Sequence, residues 1–221
     1  MYKPSFIVFE GPDGAGKTTL TTRITSWLNE ELKIPTNPTH NPGGTPFADA
    51  LRSLVFSGIV ESKQAELLGF LAAEVDCFEA IILPSFARNI NVIADRWLMS
   101  ARIYQSFMAN RPPDAIEKLI QAALPHPSAT PNFYVVLNAK PEVLMERALA
   151  AQQDESAESD EASKLAAEGQ LNYFKGLHEA YARPMVFSDG VPCLQVDTTD
   201  QTADEVYDSI REIIMKSVLH T

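Results

Sequence analysis

Residues 11–18, GPDGAGKT, satisfy the spacing G-x-x-x-x-G-K-[ST], and each part of that spacing has a chemical reason. The glycines let the backbone curl with its N–H groups inward, forming a concavity that binds anions. A helix starting behind the loop adds its positive N-terminal end. Lys17 brings a flexible point charge to the outer phosphates of a nucleotide, and the Thr18 hydroxyl suits Mg²⁺. The phosphate-binding segment is thus Gly11, Pro12, Asp13, Gly14, Ala15, Gly16, Lys17, Thr18 and Thr19. Holding a triphosphate does not define a reaction, because GTPases, motors and small-molecule kinases share such a cradle.

The loop needs a strand before it and a helix after it. SFIVFE, ending at Gly11, reads as a buried strand, and Ile24, Trp27, Leu28 and Leu32 recur at helical spacing behind it. Helices are also expected over 48–56, 64–83 and 100–108. NVIAD, NFYVVLN and VPCLQVD read as three further strands. Pro141 opens a helix through PEVLMERALA, and an amphipathic helix over 203–219 closes the chain. Strands alternating with helices predict an α/β fold with a parallel sheet covered on both faces. The acidic segment 152–169, with six acids against Lys164, reads either as a solvated loop or frayed helix, or as a mobile flap.

Composition narrows the partners. The chain has 221 residues, enough for one large domain, and a net charge of −11. That balance argues against general affinity for nucleic acid, which needs clustered Lys and Arg, while one concave site can still be locally positive. Cys77 and Cys193 stand far apart and form no metal or redox spacing. No apolar run approaches the ~20 residues of a membrane helix. The N-terminus lacks the regions of a signal peptide, so a cytoplasmic protein is expected.

Three further stretches then matter together with Asp13: NPGGTPFADALRSLVFSG, LLGFLAAEV and IADRWLMSARIYQ. In this order they resemble the thymidylate kinase family, which has a P-G-G-T turn before a helix with L-R-x-L-L. That family continues with a helix bearing F-x-A-x-R, then a strand ending in D-R before S-x-x-A-Y-Q. The resemblance covers most of the chain. It implies one P-loop NTPase-fold domain over 1–221, a three-layer sandwich around a mostly five-stranded parallel sheet, with a lid over 152–169. It further implies ATP and Mg²⁺ as cofactors, dTMP converted to dTDP, and a homodimer. The helix over 64–83 would meet its copy through Leu67, Phe70, Leu71, Val75 and Phe78, positions that serve equally as core.

By this resemblance, Lys17, Arg96, Asp13 and Arg147 form the catalytic set. Arg52 and Arg96 grip the acceptor phosphate, where arginine can bind bidentately. Asp13 meets a sugar hydroxyl or the Mg²⁺ water shell, while Asp95 with Thr18 supports the metal, or Asp95 supports Arg96. Tyr104 packs on the deoxyribose and Phe70 stacks on the base, although Phe70 taken alone reads more often as core.

The pattern is broken at several positions. Glu74 stands where the family has an arginine that donates to the thymine carbonyl, and a carboxylate can only accept. Ala101 replaces the usual Asn or Thr at the base edge. Both imply an altered or broadened base preference, unless Arg102 swings in as donor or as partner for Glu74. Gly14 stands where some members carry a transition-state arginine, and the lid is acidic, which leaves Arg147, Lys164 or Arg111 to supply charge. THN before Pro42 lacks the family's R-E. Besides a dTMP kinase, the sequence thus admits a kinase for another or modified deoxynucleotide, or a P-loop nucleotide-binding regulatory protein with little transfer.

Overall fold

The computed structural model describes residues 4–152 and 161–219. Five parallel strands, β1 (Phe6–Glu10), β2 (Thr36–His40), β3 (Asn91–Asp95), β4 (Phe133–Asn138) and β5 (Cys193–Asp197), lie in the order β2-β3-β1-β4-β5. Alternate residues of β1 feed two separate cores. Phe6 and Val8 pack with Leu67, Val92, Trp97, Tyr134 and Tyr181 on one face. Ile7 and Phe9 pack with Leu20, Ile24, Leu137, Leu144 and Ile210 on the other. A parallel sheet covered by helices on both sides requires this two-faced burial.

β2 was not legible because TNPTH has no apolar alternation. It is an edge strand, which tolerates Pro38 without losing a central ladder bond. The helices are α1 (Lys17–Ser26), α2 (Pro46–Phe56), α3 (Lys63–Cys77), α4 (Leu83–Ala87), α5 (Leu98–Arg102), α6 (Pro113–Ala123), α7 (Pro141–Gln152), α8 (Glu161–Tyr181) and α9 (Ala203–Leu219). The run read as one helix over 64–83 is α3 continued by a wider turn, Phe78–Ile82, into α4. Thr45 caps α2 by accepting from the Ala48 N–H at 3.0 Å, with Pro46 in the first turn. Ser62 caps α3 by accepting from the Ala65 N–H at 3.2 Å. α6 was missed, since only Ile116 and Ile120 of its residues are buried.

Leu67, Leu71 and Phe78, expected as possible contacts between copies, are instead core residues of this chain. Most of the acidic lid (153–160) lies outside the described residues, and 161–169 begin α8. Among the described residues no helix is long and apolar enough to cross a membrane.

Candidate active site

The register that pairs Phe9 with Asp95 sets the start of the glycine loop beside Asp95 and Arg96. Both segments leave the carboxyl ends of adjacent strands, the position where open parallel sheets bind ligands. The loop turns tightly enough that only glycine fits. A Cβ on Gly11 would lie 2.2 Å from the Leu137 carbonyl oxygen. At Gly14, where φ is +81°, a Cβ would lie 2.4 Å from the Leu144 carbonyl oxygen. The missing loop arginine thus has a packing cause: α7 passes too close to Gly14 for any side chain there.

Lys17 opens α1 and is buried, with its Nζ donating to the Pro12 carbonyl at 2.7 Å. Burial, followed by repulsion from Arg96, lowers its pKa to about 8. The Thr18 hydroxyl donates to Asp95 Oδ2 at 2.5 Å, and Thr19 is exposed on the same helix. Two hard oxygen donors side by side at the mouth of a phosphate cradle fit Mg²⁺, which takes few protein ligands and completes its shell with water and phosphate.

Arg96 sits in a left-handed conformation, φ +70°, with its N–H donating to the Phe9 carbonyl at 2.8 Å. Such a conformation costs on the order of 1–3 kcal/mol outside glycine and persists only where its surroundings over-determine it. They do so here. The guanidinium donates to Asp13 Oδ1 at 2.6 Å, Ser100 Oγ at 3.1 Å and the Tyr181 hydroxyl at 3.2 Å, and lies 5.5 Å from the Tyr104 ring centroid. Beneath it, buried Glu10 accepts from the Trp97 N–H (2.8 Å), the Ser100 N–H (3.1 Å), the Ser100 hydroxyl (2.6 Å) and the Tyr181 hydroxyl (3.2 Å). Sequence reasoning missed Glu10, Ser100 and Tyr181. The signals were an acid closing an apolar strand and, for Ser100, the serine of the S-x-x-A-Y-Q match. The carboxylate partner of Arg96 is Asp13 rather than Asp95, which binds Thr18 instead.

Asp13 is the point where the cations meet. Burial alone would raise its pKa, but Arg96, Lys17 and Arg52 together hold it below the usual carboxylate range. Arg52 lies on α2 with its guanidinium on the Pro42 carbonyl at 3.2 Å and 5.1 Å from the Phe56 ring centroid. Asp13, Arg52, Phe70, Glu74, Arg96, Ala101 and Tyr104 line one cleft of about 480 Å³. Asp13 brings the glycine loop to this lining beside Arg52 and Arg96. Phe70, whose ring lies 5.7 Å from Phe56, adds apolar surface, and Lys63, Glu66 and Arg111 also line the cleft.

Two expected cations, Arg147 and Arg102, take other positions. Arg147 donates to Thr198 Oγ1 (3.2 Å) and to the carbonyls of Thr198 (3.0 Å) and Thr199 (3.4 Å), so it clasps the turn after β5 and is not among the cleft residues. Arg102 is paired with Glu117 at 2.8 Å and does not bond Glu74. Its second acidic neighbour is Asp189, 3.6 Å away. Arg111 does line the cleft, bonded to Gln105 and to the Lys63 carbonyl. Glu74 departs further from expectation. It is only 5% exposed, and burial, reinforced by Glu10, pushes its pKa to about 8. In its protonated form a carboxyl at this position donates as well as accepts.

A profile of the thymidylate kinase family matches residues 9–207. The thymidylate kinase of Bradyrhizobium diazoefficiens is 29% identical over 95% of this chain and 90% of its own. That of a Jannaschia species is 33% identical over 71% of this chain and 74% of its own. The crystal structure of thymidylate kinase from Ehrlichia chaffeensis superposes with a TM-score of 0.72 at 20% identity, covering 96% of this chain and 99% of that one. The chain belongs to the thymidylate kinase family, ATP-dependent nucleoside monophosphate kinases built on the P-loop fold.

Proposed function

We propose that the protein transfers the γ-phosphoryl group of ATP to dTMP, yielding ADP and dTDP. An oxygen of the acceptor phosphate forms the new bond to the γ-phosphorus, and the bond to the β–γ bridging oxygen breaks. What carries this reading is the convergence of Lys17, Arg96 and Arg52 on Asp13, which lines a single cleft together with both arginines. Two anionic groups must meet there in line, so positioning and charge neutralisation supply most of the catalysis. Lys17 takes the outer phosphates of ATP and gives up its bond to the Pro12 carbonyl. Arg96 and Arg52 hold the acceptor phosphate, and Tyr104 backs Arg96 against the sugar. Mg²⁺, held by Thr18 and supported by Asp95, supplies further neutralisation of the phosphate charge when bound.

Release of ADP with dTMP, dUMP, dCMP, dGMP and dAMP tests the assignment. The expected result is acceptor-dependent ADP, fastest with dTMP. Tight ATP binding without acceptor-dependent turnover would replace this reading by a regulatory nucleotide-binding protein. Glu74 and Ala101 in the same cleft favour one second reading, an altered or broadened base preference, and equal rates across the panel would establish it.

Arg147 braces the turn after β5 next to Gly14. Arg147→Ala is expected to lower turnover about ten-fold or more, roughly the worth of one charge-assisted hydrogen bond. Steady-state kinetics at saturating dTMP read this directly, and a rate near wild type would locate the needed charge elsewhere. A homodimer remains part of the proposal, with exposed Leu54, Ile59 and Leu68 on and between α2 and α3 as its contact.

A further inference from the structure

With the proposed acceptor phosphate at Arg52 and Arg96, its base would reach the other residues lining the same cleft, among them Phe70, Glu74, Ala101 and Met108. Glu74 is the buried polar side chain in that group, and its Oε2 has no hydrogen-bond partner. The charged and titratable groups around it come from four elements: Glu10 on β1, Tyr134 on β4, Arg102 on α5 and Cys77 on its own helix. None of them satisfies Oε2. Arg102, the only cation among them, is bonded to Glu117 instead. An orphaned, desolvated carboxyl oxygen is costly unless a ligand satisfies it.

We propose that Glu74 is a specificity-determining residue that acts as a neutral carboxylic acid and reads the lactam edge of the acceptor's pyrimidine, its O–H donating to the ring carbonyl while its C=O accepts from the adjacent ring N–H. This deepens the dTMP reading and rests on it. The complementarity is one of pattern. A lactam edge presents an acceptor beside a donor, and a protonated carboxyl presents a donor beside an acceptor. An ionised Glu74 would set a carboxylate oxygen against the ring carbonyl, like against like. Burial makes the neutral form available, since the raised pKa of about 8 leaves Glu74 mostly protonated at neutral pH. A carboxylic acid kept neutral by an apolar site so that it can donate is an established device.

The test is kcat/KM for dTMP against pH at saturating ATP, where the bound phosphates hold Lys17 protonated and remove it from the profile. For the wild type, kcat/KM is expected to fall above pH about 8. Glu74→Ala is expected to lose about ten- to hundred-fold at pH 7. Glu74→Gln keeps a donor beside an acceptor without a titrating proton. It is expected to recover at least about ten-fold over the alanine variant and to lack the limb near pH 8, leaving only the limb from the thymine N3–H itself. N3-methylated dTMP should be penalised by the wild type and not further by Glu74→Ala.

A second readout needs no turnover. Glu74's folded pKa of about 8 lies above its ordinary 4.5, so the folded chain binds the extra proton between those values. Unfolding free energy then falls as pH rises through that window. The melting temperature of Glu74→Gln should therefore gain on the wild type from pH 5 to 8. A glutamine variant as weak as alanine, or one keeping the limb near pH 8, overturns the role of Glu74 alone. A wild type producing no dTMP-dependent ADP at any pH overturns the acceptor assignment first and this inference with it.

Discussion

Arg96→Ala is expected to lower kcat/KM for the acceptor monophosphate by about a thousand-fold. Deleting one preorganised donor that stabilises developing charge costs about a hundred- to a thousand-fold, or about 2.7–4 kcal/mol. Arg96 faces Asp13 at 2.6 Å and stands above the carboxylate of Glu10, so its removal loses the phosphate clamp and leaves two acids facing the incoming dianion. Because Glu10, Ser100 and Tyr181 brace the same guanidinium, the alanine variant also tests the local fold. Arg96→Lys separates the two effects: it keeps the charge but not the fork, and is expected to recover part of the stability and little of the rate. The measurement is steady-state kinetics with the monophosphate varied at saturating ATP, together with thermal melting. An alanine variant within ten-fold of wild type would place the acceptor phosphate elsewhere.

Lys17→Met should lower kcat/KM for ATP by about a hundred- to a thousand-fold, the usual cost of deleting one preorganised group that stabilises developing charge. The methionine side chain retains the buried stem, so the loss reports the ammonium itself. The pH dependence sharpens the test. Burial and Arg96 depress the Lys17 pKa to about 8, so the free enzyme loses this charge as pH rises through that value. At saturating dTMP, where the bound base holds Glu74 protonated, the wild-type kcat/KM for ATP should decline above pH 8, and the variant should lack that decline. An unchanged alkaline limb in Lys17→Met would assign it to another group.

Much of the site could be read from the sequence because it is local. The glycine loop is contiguous, and Asp95–Arg96 closes an apolar strand whose buried character marks its end. β1, β3 and β4 are near-continuous apolar runs, as strands covered on both faces must be, while β5, the other edge strand, keeps Cys193, Leu194 and Val196; all four were found within a residue or two. β2 was lost because an edge strand need not be apolar. The brace beneath Arg96 was invisible for a different reason. Tyr181 lies 85 positions from Arg96, and only packing of α8 against the sheet brings its hydroxyl to Ser100 and Glu10. Glu74 shows the remaining gap. Its identity was legible and its departure from the family pattern was noted, but its protonation state depends on burial, which one letter does not carry. Arg102 and Arg147 likewise looked free in the sequence and are held by Glu117 and by the turn at Thr198.

The whole account depends on a guest phosphate seated between two arginines that are distant in sequence. A crystal structure of the protein with dTMP and a non-hydrolysable ATP analogue tests that most directly. The account predicts the dTMP phosphate within hydrogen-bond distance of both the Arg52 and Arg96 guanidinium groups, facing the γ-phosphate held by Lys17. A monophosphate bound with its phosphate away from both guanidinium groups, or a cleft that stays closed to it, would contradict the account.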